Sequence, residues 1–433
     1  AIGTVNNHNN TAVGMRAGWK VTGEANTFMG ANAAKNATSC DYNVVIGNSA
    51  NGTGVMTGNN NVIIGSSSGA AMTSGTKNVA VGAETLGTTG TQTENTAIGY
   101  RAGSSCTGGN NTLLGANAGH GSLTGDNNTF LGREAGMGVT SGYGNIAVGV
   151  SAGRGVTSGY QNVYIGTNCG TTGNGNANVG IGDQALETGA HGTGNVAIGW
   201  SCGEDFAGGN STFVGAEAAR QSTTSDNCVA IGWGAMGTGV TTGNENCVVG
   251  KQAGEDLTSG TYNTMIGNTA GKDYSTGYRN TCVGFNAGKS EDGNAQSNGY
   301  GVYIGMESYA SAYNTTHEIV IGVGGTGKGS NTAFLCPSSG AVYNTANSTT
   351  WNQTSDRRIK KNIVDNNQGL EIINQIRVRN FEYRTEDEIV DFENPKAAVV
   401  EQEGLQLGTI AQEIEEILPE VVKEESAGVK TVN

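Results

Sequence analysis

From Asn10 to Gly322 the chain repeats a single phrase of polar and apolar positions. Nineteen glycines, each preceded by an aliphatic residue, recur at spacings of 16 to 18 residues with one spacing of 21, from Gly14 and Gly30 to Gly305 and Gly322. The residue just before each of these anchors is Val, Ile, Leu or Met, and the residue three before it is Val, Ile, Thr or Cys. Alternation of period two predicts a short strand ahead of every anchor. Asn stands four before the anchor in 15 of 19 units, a small residue usually stands three after it, and a polar turn rich in Thr, Ser and Gly follows, as in Asn95 to Gly103.

A unit of about 17 residues is too short for a strand and a helix, but it fits one coil of a β-solenoid, with coils paired about 4.8 Å apart and equivalent residues stacked. The Asn column then forms a ladder of side-chain amides, and the anchor glycine permits positive φ or close approach at a bend. Each coil offers only about three inward positions that are small or aliphatic, so stability is expected to come partly from other chains. The residue two before the anchor is often large and apolar (Phe28, Phe130, Tyr164, Phe213, Met265, Tyr303) and reads as a second face for packing against partner subunits. The expected assembly is a homotrimeric rod on the order of 90 Å long.

Composition narrows the function. The chain has 73 glycines in 433 residues, which excludes an ordinary globular enzyme, and it lacks the strict Gly-X-Y period of collagen. No apolar run approaches the roughly 20 residues of a membrane span. A net charge of −14 leaves no basic footprint for nucleic acid or anionic lipid, so neither is an expected partner. Charge is uneven: residues 1–322 carry 12 Lys/Arg and 20 Asp/Glu, whereas the much shorter 355–433 carries 10 and 17. The expected division is a shaft over 1–322, a connector over 323–354 and a small α+β domain over 355–433, mainly β overall. In that domain helices are predicted at Leu370 to Gln375 and Ile410 to Leu418, the latter stopped by Pro419, with an alternating strand from Val378 to Arg384 between them.

The shaft pattern resembles the heads of trimeric autotransporter adhesins and, more closely, the glycine-rich shafts of phage tail fibres. The last eighty residues resemble the C-terminal intramolecular chaperone domain of endosialidases and other phage tail fibres. Three motifs carry that second likeness in the family's order: S-D-x-R-x-K-x-N-I from Ser355 to Ile363, a helix followed by the F-x-Y strand of Phe381 and Tyr383, and G-x-I-A-Q-E-I-E-E-x-L-P-E from Gly408 to Glu420. The resemblance implies a domain that trimerises a fibre and then severs itself, with Ser355 as nucleophile and Lys360 as base. Asp356, Arg358 and Asn362 match the motif as residues that hold its geometry. A serine hydroxyl is a weak nucleophile until a base takes its proton, and a neutral lysine amine is an alternative to histidine. The family continues into a long helix where this sequence ends at Asn433.

The implied function is a virion tail fibre for host attachment, assembled in the host cytoplasm. Its expected partners are two further copies of itself, other tail proteins and a carbohydrate receptor on the host surface, and its only implied catalysis is self-cleavage. The alternatives are a glycan-degrading tailspike and a trimeric cell-surface adhesin. A depolymerase needs paired carboxylates, but Glu204/Asp205 and Glu255/Asp256 occupy equivalent positions three coils apart, about 14 Å along the axis. Trp200 and Trp233 directly follow their anchors two coils apart and form a possible glycan platform. Eight cysteines show no C-x-x-C and read as buried thiols, and the four histidines are isolated; no metal and no cofactor is expected.

Overall fold

The computed structural model describes residues 9–337 apart from 89, 238 and 290–295, together with 341–344, 352–353, 361–363, 369–389, 404–424 and 430–432. The chain divides into two compact units, Ala1–Thr354 and Ser355–Asn433.

The first unit is a β-solenoid with one short strand per coil. Nineteen strands, from β1 (Thr11–Val13) to β19 (Ile319–Gly322), each sit just ahead of an anchor or end on it. Each pairs in parallel with its sequence neighbour and in register, as in Thr112 with Thr129 and Leu114 with Leu131. A twentieth parallel strand, β20 (Ala333–Cys336), is followed by antiparallel β21 (Val342–Asn344) and β22 (Asn352–Gln353).

Two stacked columns set the register. The anchors adopt φ between 119° and 142°, and a Cβ on Gly14, Gly99 or Gly215 would stand 2.6 Å from the carbonyl oxygen of the next anchor. Only glycine combines that φ with so close a neighbour. The second column is the Asn ladder. Asn26 Oδ1 accepts from the backbone N–H of Asn43 (2.9 Å) and from its Nδ2 (3.1 Å), while Asn43 Nδ2 also donates to the carbonyl of Gly58 at 3.0 Å. The same three bonds recur at Asn128, Asn145 and Asn263, so buried amides are satisfied from coil to coil. Where the sequence substitutes Ser211 and Cys228, a hydroxyl and a thiol stand in: Cys228 N–H donates to Ser211 Oγ at 3.1 Å and Asn246 N–H to Cys228 Sγ at 3.5 Å.

The inward and outward faces of the strand are the reverse of the expectation for the large apolar column. Phe28, Phe130, Tyr164, Phe213, Met265 and Tyr303, two before their anchors, are buried inside the coil and are not a face for partners. They pack with the small residue three after the anchor, such as Ala135 or Cys169, and with a third inward position seven after it, such as Val139, Phe206 or Leu257. Neighbouring coils trade volume along the inward column. The Tyr164 ring lies next to Gly180, where a Cβ would come within 3.1 Å of Tyr164 Cδ1. Phe206 and Phe213 meet edge to face at 4.8 Å. Alternation along the strand then turns the residues one and three before the anchor outward.

The second unit is sparsely packed among its described residues. It holds α1 (Gly369–Ile373), β23 (Arg379–Phe381) paired antiparallel with β24 (Gln406–Gly408), α2 (Ala411–Glu415), a turn of 3-10 helix at Pro419–Val421, and β25 (Val422–Glu424) paired with β26 (Lys430–Val432). Both expected helices and the strand between them are present, each shorter than its apolar pattern. Pro419 stands at the start of the 3-10 turn that follows α2, with its missing N–H at a position that needs no donor.

Candidate functional site

The outward side of the shaft sheet carries a continuous apolar column, part exposed and part half-buried. The column before the anchors runs Val13, Met29, Ile46, Ile64 and so on to Ile304 and Ile321 without a polar residue, and the column three before holds only Val, Ile, Thr and Cys. Neither column contains a charge. Val13, Ile98, Leu131, Ile198, Ile266 and Ile321 keep 37 to 54% of their surface in solvent. An uncharged stripe that recurs on nineteen successive coils is the kind of contiguous surface that marks an interaction face.

The carboxylates weighed as a hydrolytic pair are structural. Glu204 accepts from Arg220 Nε at 2.9 Å and Glu255 pairs with Lys272 Nζ at 2.7 Å, each a bridge to the next coil, and Asp205 accepts from Thr188 Oγ1. Similar rungs join Lys77 to Glu94 at 2.8 Å and Arg101 to Glu84 at 2.6 Å. Trp200 and Trp233 are both exposed, with Ala216 in the coil between them, and Lys251 Nζ stands 5.2 Å from the centre of the Trp233 ring. The cysteines of the described residues are free, and all except Cys247 are buried. Burial pushes the thiols of Cys169 and Cys202 up to about 12 and those of Cys40 and Cys106 up to about 11, which keeps them protonated and unreactive at neutral pH. Burial lowers the pKa of His191, whose Nδ1–H donates to the carbonyl of Phe206 at 2.7 Å; this histidine is a core residue.

In the second unit Ser355, Asp356, Arg358 and Lys360 lie outside the described residues. Asn362 is exposed in a left-handed turn with φ 55°, a conformation that Asn tolerates better than most residues. Elsewhere in the unit apolar side chains are uncovered: Leu370, Val378, Leu405 and Leu407 are 63 to 75% exposed, whereas Ile414 on α2 is buried. Arg379 clamps Glu413 with Nε to Oε2 at 3.1 Å and Nη2 to Oε1 at 2.6 Å, tying β23 to α2. That hydrogen bond holds the Glu413 carboxyl below its ordinary pKa. An open cleft beside the pair is lined by Asn374, Gln375, Arg377, Glu416 and Ile417.

Residues 355–423 match the family model described as the chaperone of endosialidase. Curated proteins and solved structures give no match to the chain. The matched C-terminal segment and the nineteen-turn solenoid of about 17-residue coils together fit a tail fibre with an endosialidase-type chaperone domain.

Proposed function

We propose that the protein is a virion tail fibre that attaches to a host surface, built from three copies of this chain. The observation that carries the reading is the uncharged apolar stripe of the shaft, which runs its full length and has no counterpart to cover it within the coil. A second copy presents the same stripe, so rotation about a common axis buries it along every coil at once. The uncovered leucines of the second unit supply the same argument at the other end of the chain. Parallel sheets form slowly because their contacts must be closed across the register of another strand. A terminal unit that associates first fixes that register.

Self-release is the second part of this reading, supported by the family match over the segment that holds Ser355 and Lys360. Lys360, in its neutral form, takes the proton of Ser355 Oγ, which attacks the carbonyl carbon of Thr354. The C–N bond to Ser355 breaks and its nitrogen gains the proton, leaving an ester that water hydrolyses to a Thr354 carboxylate and the free hydroxyl. Asp356, Arg358 and Asn362 keep the motif's geometry, and the exposed indoles of Trp200 and Trp233 offer faces to a glycan receptor. Mass spectrometry of denatured full-length protein tests the cleavage: wild type yields a shaft and a C-terminal fragment, and Ser355→Ala and Lys360→Ala yield one uncut chain. Cleavage that persists in Ser355→Ala places the nucleophile elsewhere.

A further inference from the structure

The corner of the coil that lies five before the anchor changes character in coils 16 to 19. There it carries Tyr262, Arg279, Tyr300 and His317, all exposed and all in left-handed backbone with φ between 56° and 60°. Backbone bonds from Arg279 N–H to Thr261 O (2.9 Å), from Tyr300 N–H to Tyr278 O (3.1 Å) and from His317 N–H to Gly299 O (3.0 Å) fix the rungs. Four π systems are thereby stacked one per coil. The Tyr300 and His317 rings lie 4.6 Å apart and 12° from parallel. The Arg279 guanidinium stands 5.4 Å from the centres of both Tyr262 and Tyr300, and its Nη1 donates to Tyr300 Oη at 2.8 Å.

Tyr278 lies beside this stack and meets Tyr300 edge to face at 5.2 Å and 76°. Gly299, at the equivalent place one coil on, explains its posture: a Cβ there would stand 2.8 Å from Cε1 and Cζ of Tyr278. The ring therefore lies down along the shaft over bare backbone, and it remains 38% exposed. On the far side runs a row of hydroxyls, with Thr276 Oγ1 donating to Ser297 Oγ at 2.6 Å and Ser297 Oγ to Tyr313 Oη at 3.4 Å.

We infer that this bed is a carbohydrate-binding site, with a pyranose ring seated on the open face of Tyr278. A pyranose has a patch of C–H bonds on one face and hydroxyls around its rim. An aromatic face flanked by a guanidinium and an imidazole on one side and by hydroxyls on the other is complementary to both. The coil repeat adds direction, because equivalent groups recur along the axis and an oligosaccharide lying lengthwise meets them in turn. In the proposed trimer the apolar columns one and three before the anchor are the face for sister chains; the bed lies outside them, at the coil corner five and six before the anchor. This inference rests on the host-attachment reading and gives it a ligand class and a place.

The test uses the full chain on an array of bacterial surface oligosaccharides, with oligomeric mass measured on the same samples. Tyr278→Ala should weaken binding about tenfold or more with the mass unchanged, and Tyr278→Phe should keep it because the face survives. Equal binding by Tyr278→Ala and wild type overturns the site while leaving attachment by glycan standing. A change of mass in Tyr278→Ala makes the bed a contact between copies and also overturns it. Binding of wild type to no glycan overturns the ligand class, and adsorption of the fibre to bacterial cells then judges the attachment reading by itself.

Discussion

The two units spend their apolar residues in opposite ways. Every coil of the shaft closes over its own small core, so that Phe28, Phe130 and Phe213 are fully buried, and a uniform apolar stripe is left over outside. In the second unit Ile414 is the one fully buried large apolar side chain among the described residues, and Leu370, Leu405 and Leu407 stand in solvent. A repeat can stabilise itself locally because each new coil adds the same hydrogen bonds and the same buried methyls. The described residues of the second unit bury little by comparison, and in the proposed trimer that unit gains stability from association. On the trimeric reading proposed above, partners set the shaft's register and give the terminal unit surface to bury.

The contrast can be broken most strongly at the anchors. Gly132→Val places a β-branched side chain at φ 142° against the Gly149 carbonyl, and the expected result is no soluble fibre, whereas Ser141→Ala in the turn should change stability by less than about 0.5 kcal/mol. Equal yields from the two variants would remove the stacking argument. The next largest effect separates the units: Leu405→Asp with Leu407→Asp should abolish assembly on refolding, since neither side chain supports a core within its own chain. A loss that instead tracks monomer unfolding, with no dependence on protein concentration, would contradict this.

Inside the shaft, Cys228→Asn restores the amide ladder across its weakest rung and should raise stability by about 1 kcal/mol, read from a denaturant midpoint. A fall would mean that the thiol packs better than an amide there. The smallest effect concerns the terminal unit. The Glu413 carboxyl is held below its ordinary pKa by Arg379, so its stabilisation is present above the usual Glu range and is lost as pH falls through the depressed value. Glu413→Gln should flatten that acid limb of stability, and an unchanged limb would show the exposed pair to be inert.

The coil length, the strand before each anchor and the Asn ladder were legible because each repeats nineteen times or nearly so and each has a physical cause in stacking. The inside and the outside of the strand were not, since the columns one, two and three before the anchor are all largely apolar and alternation alone does not orient them. Variation in size is the signal that distinguishes them: the buried column swings from Gly180 to Tyr164 and Phe213 as neighbours trade volume, while the outer column stays near the size of Val or Ile. The aromatic bed was missed for another reason. Tyr300 and His317 appear in the repeat as turn residues next to its one irregular spacing, and nothing in a turn's composition signals a left-handed corner that stacks side chains. The motif from Ser355 to Asn362 was read through its resemblance to a family, and all of it except Lys361 and Asn362 lies outside the described residues.

Light scattering coupled to gel filtration, applied to wild type and to Ile165→Asp with Ile198→Asp, tests the shared stripe most directly. Wild type should elute as three chains, three times 44.0 kDa when uncut or three times the shaft mass after self-release, and the double variant should fall to a single chain that keeps its β-sheet circular dichroism, because both side chains point away from the coil's own core. Wild type at the mass of one chain, or a double variant that still elutes with wild type, would contradict assembly through the outward face.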